Sequence, residues 1–134
     1  MKEKKLIDSF ALLAYLKNER SGERVKALLN EAERLRQNLL MNEINVGEVY
    51  YIIAKERSIE SADYFLHDIM GALPIKLLSN SFSQIIDAAK IKSSYPVSYA
   101  DAFAISTALR EKAALVTGDP EYKCVEKIVK IEWL

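Results

Sequence analysis

Five short, almost wholly apolar runs punctuate this chain: Lys4–Ile7, Leu39–Met41, Pro74–Leu78, Ala114–Thr117 and Val129–Trp133. A strand with one wet face alternates apolar and polar residues. Four of these runs do not alternate, so they suit strands covered on both faces. The stretches between them carry helical periodicity. Between Glu23 and Arg36, for example, Val25, Leu28, Leu29, Ala32 and Leu35 fall on one stripe. Alternating strands and helices of this kind indicate an α/β fold: a parallel sheet with helices on both faces.

The start and stop signals predict the other helices. Ser9 opens one that ends near Asn18. Another spans Ile44–Arg57. A third begins at Ser58 or Ser61, runs to Met70 and is ended by Gly71. Ser81–Ser93 forms one stopped by Tyr95-Pro96, and Ser98–Lys112 another, with a short helix after Pro120. At 134 residues the chain reads as one domain, 1–134, burying roughly two-thirds of its unfolded surface. No repeat, linker or low-complexity segment divides it.

Nineteen basic and nineteen acidic residues cancel, which leaves a nucleic-acid partner open, because a local basic surface can coexist with an acidic site. Cys124 is the only cysteine, so no intramolecular disulfide can form; it reads as a small, semi-buried apolar residue. His67 is the only histidine, placed as an exposed helix residue, and with no cysteine or second histidine near it the chain argues against a zinc site. The basic Met1–Lys5 is followed only by Leu6 and Ile7 before Asp8, which is no signal peptide. No apolar run nears the about 18 residues of a membrane span. These features together predict a cytoplasmic protein.

Ligands of such sheets bind beyond the carboxyl ends of the strands. Asp8 and Asp119 fall at those ends, Asp101 in the first turn of a helix, and Glu48 in the second turn of the helix after Met41. Three of the four have a structural explanation. Asp8 can cap a helix, Ser98–Asp101 matches a capping box, and Asp119-Pro120 is a natural helix start. Glu48 has none, since Ile44, Asn45, Tyr51 and Ile52 offer it no cation at helical spacing, and Ile44 and Ile52 share its face. It needs a partner from elsewhere: a Lys or Arg, a metal, or a second carboxylate sharing a proton.

As a set the four acids are more informative. At about 5–7 Å apart, each pair repels by roughly 2–3 kcal/mol at an effective dielectric of about 20. One or two Mg²⁺ or Mn²⁺ ions turn that liability into a site for phosphoryl chemistry, which requires no His, Cys or Ser nucleophile. Ser9 and Thr117, within two residues of Asp8 and Asp119, supply hydroxyls that can orient the carboxylates or cap helices. Asn45, one turn before Glu48, is a further supporting residue or a cap. Glu121 reads as a first-turn acid interacting with the helix dipole.

Leu6-Ile7-Asp8-Ser9-Phe10, Ile44–Tyr51 (INVGEVYY), Tyr99–Ala108 (YADAFAISTA) and Leu115–Tyr122 (LVTGDPEY), in this order, resemble the PIN domain. More closely they resemble the VapC-type toxin ribonucleases of toxin–antitoxin pairs. The resemblance spans the whole chain. It implies a three-layer α/β/α sandwich with a central, mostly parallel sheet, and Mg²⁺- or Mn²⁺-dependent endoribonuclease activity leaving a 5′-phosphate and a 3′-hydroxyl. It assigns Asp8, Glu48, Asp101 and Asp119 as the acidic, metal-binding site, with Ser9 and Thr117 in support. It also implies an RNA substrate, a homodimer and a small antitoxin whose tail covers the groove.

Other readings fit less well. A haloacid-dehalogenase-type phosphohydrolase needs a second Asp two positions after the first, where Phe10 stands. A receiver-type switch needs an adjacent acidic pair at the first strand, where Asp8 is alone. A silent PIN-like scaffold or RNA-binding domain would show a lost carboxylate. Lys17, Arg20, Arg24, Lys55 and Arg110 are the basic residues nearest the relevant helices, and each also reads as an ordinary surface charge.

Overall fold

The central strand, β1 (Lys5–Ile7), lies between β2 (Leu39–Asn42) and β4 (Ala114–Thr117). In the computed structural model, which describes residues 2–134, β3 (Ile75–Leu78) and β5 (Ile131–Trp133) form the edges, giving the order β3-β2-β1-β4-β5. Every pairing is parallel, as the unbroken apolar runs predict. The inner strands are buried almost throughout. Lys76 and Leu77 of β3 are exposed because an edge strand has only one neighbour to shield it.

Side chains of a strand point alternately to the two faces, and the two cores follow that alternation. Leu6, Leu40 and Leu115 face one core with Ala88 of α5 (Phe82–Ser94), Phe103 and Ile105 of α6 (Tyr99–Glu111), and Tyr122 and Val125 of a 3₁₀ turn (Pro120–Val125). Ile7, Leu39, Met41 and Val116 face the other. Here they meet Leu12 of α1 (Ser9–Leu16), Val25 and Leu28 of α2 (Gly22–Leu35) and Val49 of α3 (Glu43–Glu56). Each fully buried Leu, Ile or Val contributes about 1.5–3 kcal/mol relative to exposure. The outcome is a three-layer α/β/α sandwich.

The helix expected up to Met70 is interrupted. After α4 (Ile59–Tyr64), capped by the Ser58 hydroxyl, the chain widens into one π-turn, Phe65–Ile69, then tightens into a 3₁₀ turn, Met70–Ala72. Phe65 and Met70 are both buried in the second core, so tertiary packing overrides regular helix here. Cys124 is exposed rather than semi-buried; its thiol donates to the Glu121 carbonyl within the 3₁₀ turn. His67 is exposed.

Gly22 is required by close packing. A Cβ there would sit 2.3 Å from the Ala14 carbonyl oxygen, which is backbone and cannot swing aside. Gly22→Ala is therefore expected to destabilise the fold by about 2–3 kcal/mol, as overpacking does. Urea denaturation would check it, and a change below about 0.5 kcal/mol would show that α1 and α2 separate freely.

Two connections set up the functional edge of the sheet. β1 ends at Ile7 and α1 begins at Ser9, so Asp8 alone links them. β2 passes directly into α3, and its last residue, Asn42, caps that helix by accepting from Ile44 N at 2.8 Å. The strand order reverses between β1 and β4, and the carboxyl ends of these two strands border the crevice where sheets of this kind bind ligands.

Candidate functional site

At that crevice the Asp8 carboxylate is buried and fully engaged. Oδ1 accepts from Ala11 N at 2.8 Å, capping α1, and Oδ2 accepts from the Thr117 hydroxyl at 2.6 Å. Thr117 ends β4. Its Oγ1 also accepts from Asp119 N at 3.1 Å, so one hydroxyl ties Asp8 to the Asp119 loop. Asp119 starts the 3₁₀ turn, accepting from Glu121 N at 2.9 Å with Pro120 at the first helical position. For Asp8 and Asp119 the capping explanation is thus correct and leaves room for another role.

Asp101 behaves differently. Ser98 caps α6 by accepting from Asp101 N at 3.1 Å, but the Asp101 carboxylate does not return the bond. It accepts instead from the hydroxyl of Tyr122, at 2.8 Å to Oδ1. Half of the capping box is present, and its acid is directed across the crevice.

Glu48 is half-buried, since Ile44 is exposed and its face is less enclosed than the apolar pattern suggests. Its partner is the hydroxyl of Ser9, which donates to Oε1; neither a cation nor a shared carboxyl is involved. Ser9 therefore serves Glu48 rather than its neighbour Asp8. Asn45 is fully buried. Its Nδ2 donates to the Ala100 carbonyl at 3.1 Å and fastens α3 to the first turn of α6, one residue before Asp101. Its Oδ1 is buried and has no partner.

Carboxylate oxygens of Asp101, Asp119 and Glu121 lie within 4.8 Å of one another. Asp8 and Glu48 border this trio without belonging to it. Glu121, which the sequence assigns to the helix dipole, stands inside it. Tyr122 carries no sequence signal beyond its place in LVTGDPEY; only its contact identifies it.

The charges interact. Burial is the main cause that lifts Asp8 from 3.8 to about 7, and the Asp101 charge adds to it against the bonds from Thr117 and Ala11. Burial likewise lifts Asp101 to about 6, reinforced by Asp119 and Glu48 and opposed by Tyr122 and Ser98. The buried Tyr122 hydroxyl, close to both anions, is pushed far above its usual range and stays a donor.

The trio suits a hard cation. A hard cation prefers oxygen ligands, and three carboxylates this close together offer them from one side of a single position. Among the described residues no Lys or Arg forms an ion pair with any of these acids. Lys17, Arg24 and Arg110 pair with Glu56, Glu132 and Glu111 instead. A groove of about 450 Å³, lined by Leu13, Leu16, Ile53, Tyr64, Phe65 and Ile69 among others, includes none of Asp8, Glu48, Asp101, Asp119 and Glu121.

The model of the PIN domain matches residues 5–128. The chain belongs to the PIN-domain family. This PIN domain also shares its fold with solved toxin–antitoxin structures. A DNA-bound VapBC from Salmonella typhimurium gives a TM-score of 0.73 at 15% identity, covering 98% of each chain. VapBC2 from Rickettsia felis, bound to a fragment of its promoter, gives 0.70 at 17% identity, covering 97% of this chain and 98% of that one. A toxin–antitoxin complex from Klebsiella pneumoniae gives 0.68 at 14% identity, covering 98% and 100%. No curated protein matches the sequence.

Proposed function

We propose that this PIN domain, a single domain over residues 1–134, is a Mg²⁺- or Mn²⁺-dependent endoribonuclease and the toxin of a toxin–antitoxin pair. The observation that carries the reading is the convergence of Asp101, Asp119 and Glu121 beside Asp8 and Glu48, at the switch point of a parallel sheet, without a paired cation among the described residues.

In this reading Asp101, Asp119 and Glu121 would hold the cation, with Glu48 and Asp8 completing the acidic site. A cation held there would supply neutralisation of phosphate charge and a lowered pKa for water. The protein's own residues do the positioning. Thr117 fixes Asp8 and the Asp119 loop together, Ser9 orients Glu48, and Asn45 holds the turn that bears Asp101. Asp8 and Asp101, both with raised affinity for protons, stay ionised at neutral pH more readily once a cation is bound.

The toxin role rests on the fold shared with toxin–antitoxin complexes and on the charge of the site. An arginine in an antitoxin tail can bind carboxylates bidentately, displacing the metal and blocking substrate together. A cytoplasmic homodimer completes the reading. No helix among the described residues is long and apolar enough to cross a membrane.

The test is cleavage of single-stranded RNA by the purified chain, with Mg²⁺ or Mn²⁺ and with EDTA. Cleavage with metal and none with EDTA is expected. Full cleavage in EDTA, with contaminating nuclease excluded, defeats the metal mechanism. No cleavage under any condition favours a silent scaffold. Co-expression with a small neighbouring reading frame tests the toxin role: a complex should form and lose activity.

A further inference from the structure

We infer that Tyr122 is a positioning residue for the metal site, acting through Asp101; the inference rests on the metal-dependent reading above. The Tyr122 ring is fully buried in the core formed by α5, α6 and the sheet, where phenylalanine would fill the same space. A buried hydroxyl without a partner costs stability, so tyrosine fits here because its hydroxyl has a use. Its hydroxyl bonds Asp101 Oδ1 at 2.8 Å and also bears on the neighbouring Asp8 carboxyl.

The Ser98 hydroxyl also bears on the Asp101 carboxyl, but Tyr122 is the donor bonded directly to a carboxylate oxygen. Ser98 is occupied by the backbone N–H of that residue, from which it accepts at 3.1 Å. The orientation that Tyr122 imposes is the one that brings an Asp101 oxygen within 4.8 Å of Asp119 and Glu121. The three residues Asp119, Glu121 and Tyr122 share one short turn, which therefore supplies two acids of the trio and the clamp on the third. A phenol has few torsions, and its ring is fixed by packing, so the clamp is rigid before any cation arrives. Groups that orient ligands in this way typically govern metal affinity by 10- to 100-fold.

The experiment is Mn²⁺ titration calorimetry on the full chain and on Tyr122→Phe, with melting of both in EDTA and kcat and KM for RNA. The substitution is expected to weaken Mn²⁺ binding about 10-fold and to lower kcat at fixed Mn²⁺ with KM for RNA little changed. In an Asp101→Ala background it should change Mn²⁺ affinity much less, because the clamp has lost its main object and keeps only its contact with Asp8. Unchanged Mn²⁺ affinity in Tyr122→Phe, or an equal loss in the Asp101→Ala background, overturns the inference, whatever the melting temperature does. If Tyr122→Phe does not fold, Asp101→Glu keeps the charge and outgrows the clamp. A similar loss of Mn²⁺ binding is then expected, and full binding overturns the inference. A wild-type chain that takes up no Mn²⁺ refutes the metal reading itself, which separates the two failures.

Discussion

Asp101→Asn is expected to reduce RNA cleavage at least about 100-fold, the scale on which removing one charge-stabilising group usually acts. The same change should raise the melting temperature of the metal-free protein. Asparagine keeps the shape and can still accept from the Tyr122 hydroxyl, while it removes one anion from beside Asp119 and Glu48. At pH 8 the gain should be about 1–2 kcal/mol, or roughly 4–8 °C. Single-turnover cleavage and thermal melts in EDTA measure both. A melting point lowered by several degrees would return Asp101 to a purely structural role. Asp8→Asn should abolish cleavage too, with a smaller gain or none. Its two oxygens accept from Ala11 N–H and the Thr117 hydroxyl, and an amide can accept at only one.

Stability without metal should fall as pH rises from 5 to 8. Asp8 and Asp101 have folded pKa values of about 7 and about 6, both above 3.8. The native state therefore holds these protons more tightly than the unfolded chain does. Its stability declines from near pH 4 through those two values and levels off above them. Between pH 5 and 8 the loss should be about 3 kcal/mol, taken below the simple sum because the two groups interact. Glu132 has the opposite sign. Its bonds to Lys5 and Arg24 outweigh burial and lower its pKa, so its contribution disappears only on acidification below that window. Mg²⁺ should restore more stability at pH 8 than at pH 5, because a cation offsets the ionised carboxylates. Urea denaturation in EDTA at four pH values checks the slope, and a stability that is flat or rising from 5 to 8 contradicts it.

How much of this is written in the sequence depends on how far apart the interacting residues lie. Apolar runs such as Leu39–Met41 and Ala114–Thr117 report burial on both faces, which is a local property, and from it the parallel, layered sheet follows. Caps are local as well. Asp8 reaches Ala11, Ser98 reaches Asp101 N, and Asp119 reaches Glu121 N, all within three residues. The sequence points to the four acids as a set because strand ends in such sheets share one edge.

Which partner each acid takes was decided only in three dimensions. The Thr117–Asp8 bond joins residues 109 apart and exists because β4 lies beside β1, a matter of strand order. Ser9 with Glu48 and Tyr122 with Asp101 depend likewise on how α1 meets α3 and how the last 3₁₀ turn packs on α6. Glu121 shows the limit most plainly. Its sequence neighbours describe a helix start, whereas the tertiary structure sets its carboxylate beside two others. Periodicity and capping act over one turn of chain. A site of several converging charges is made by the packing of whole elements, which no single segment encodes.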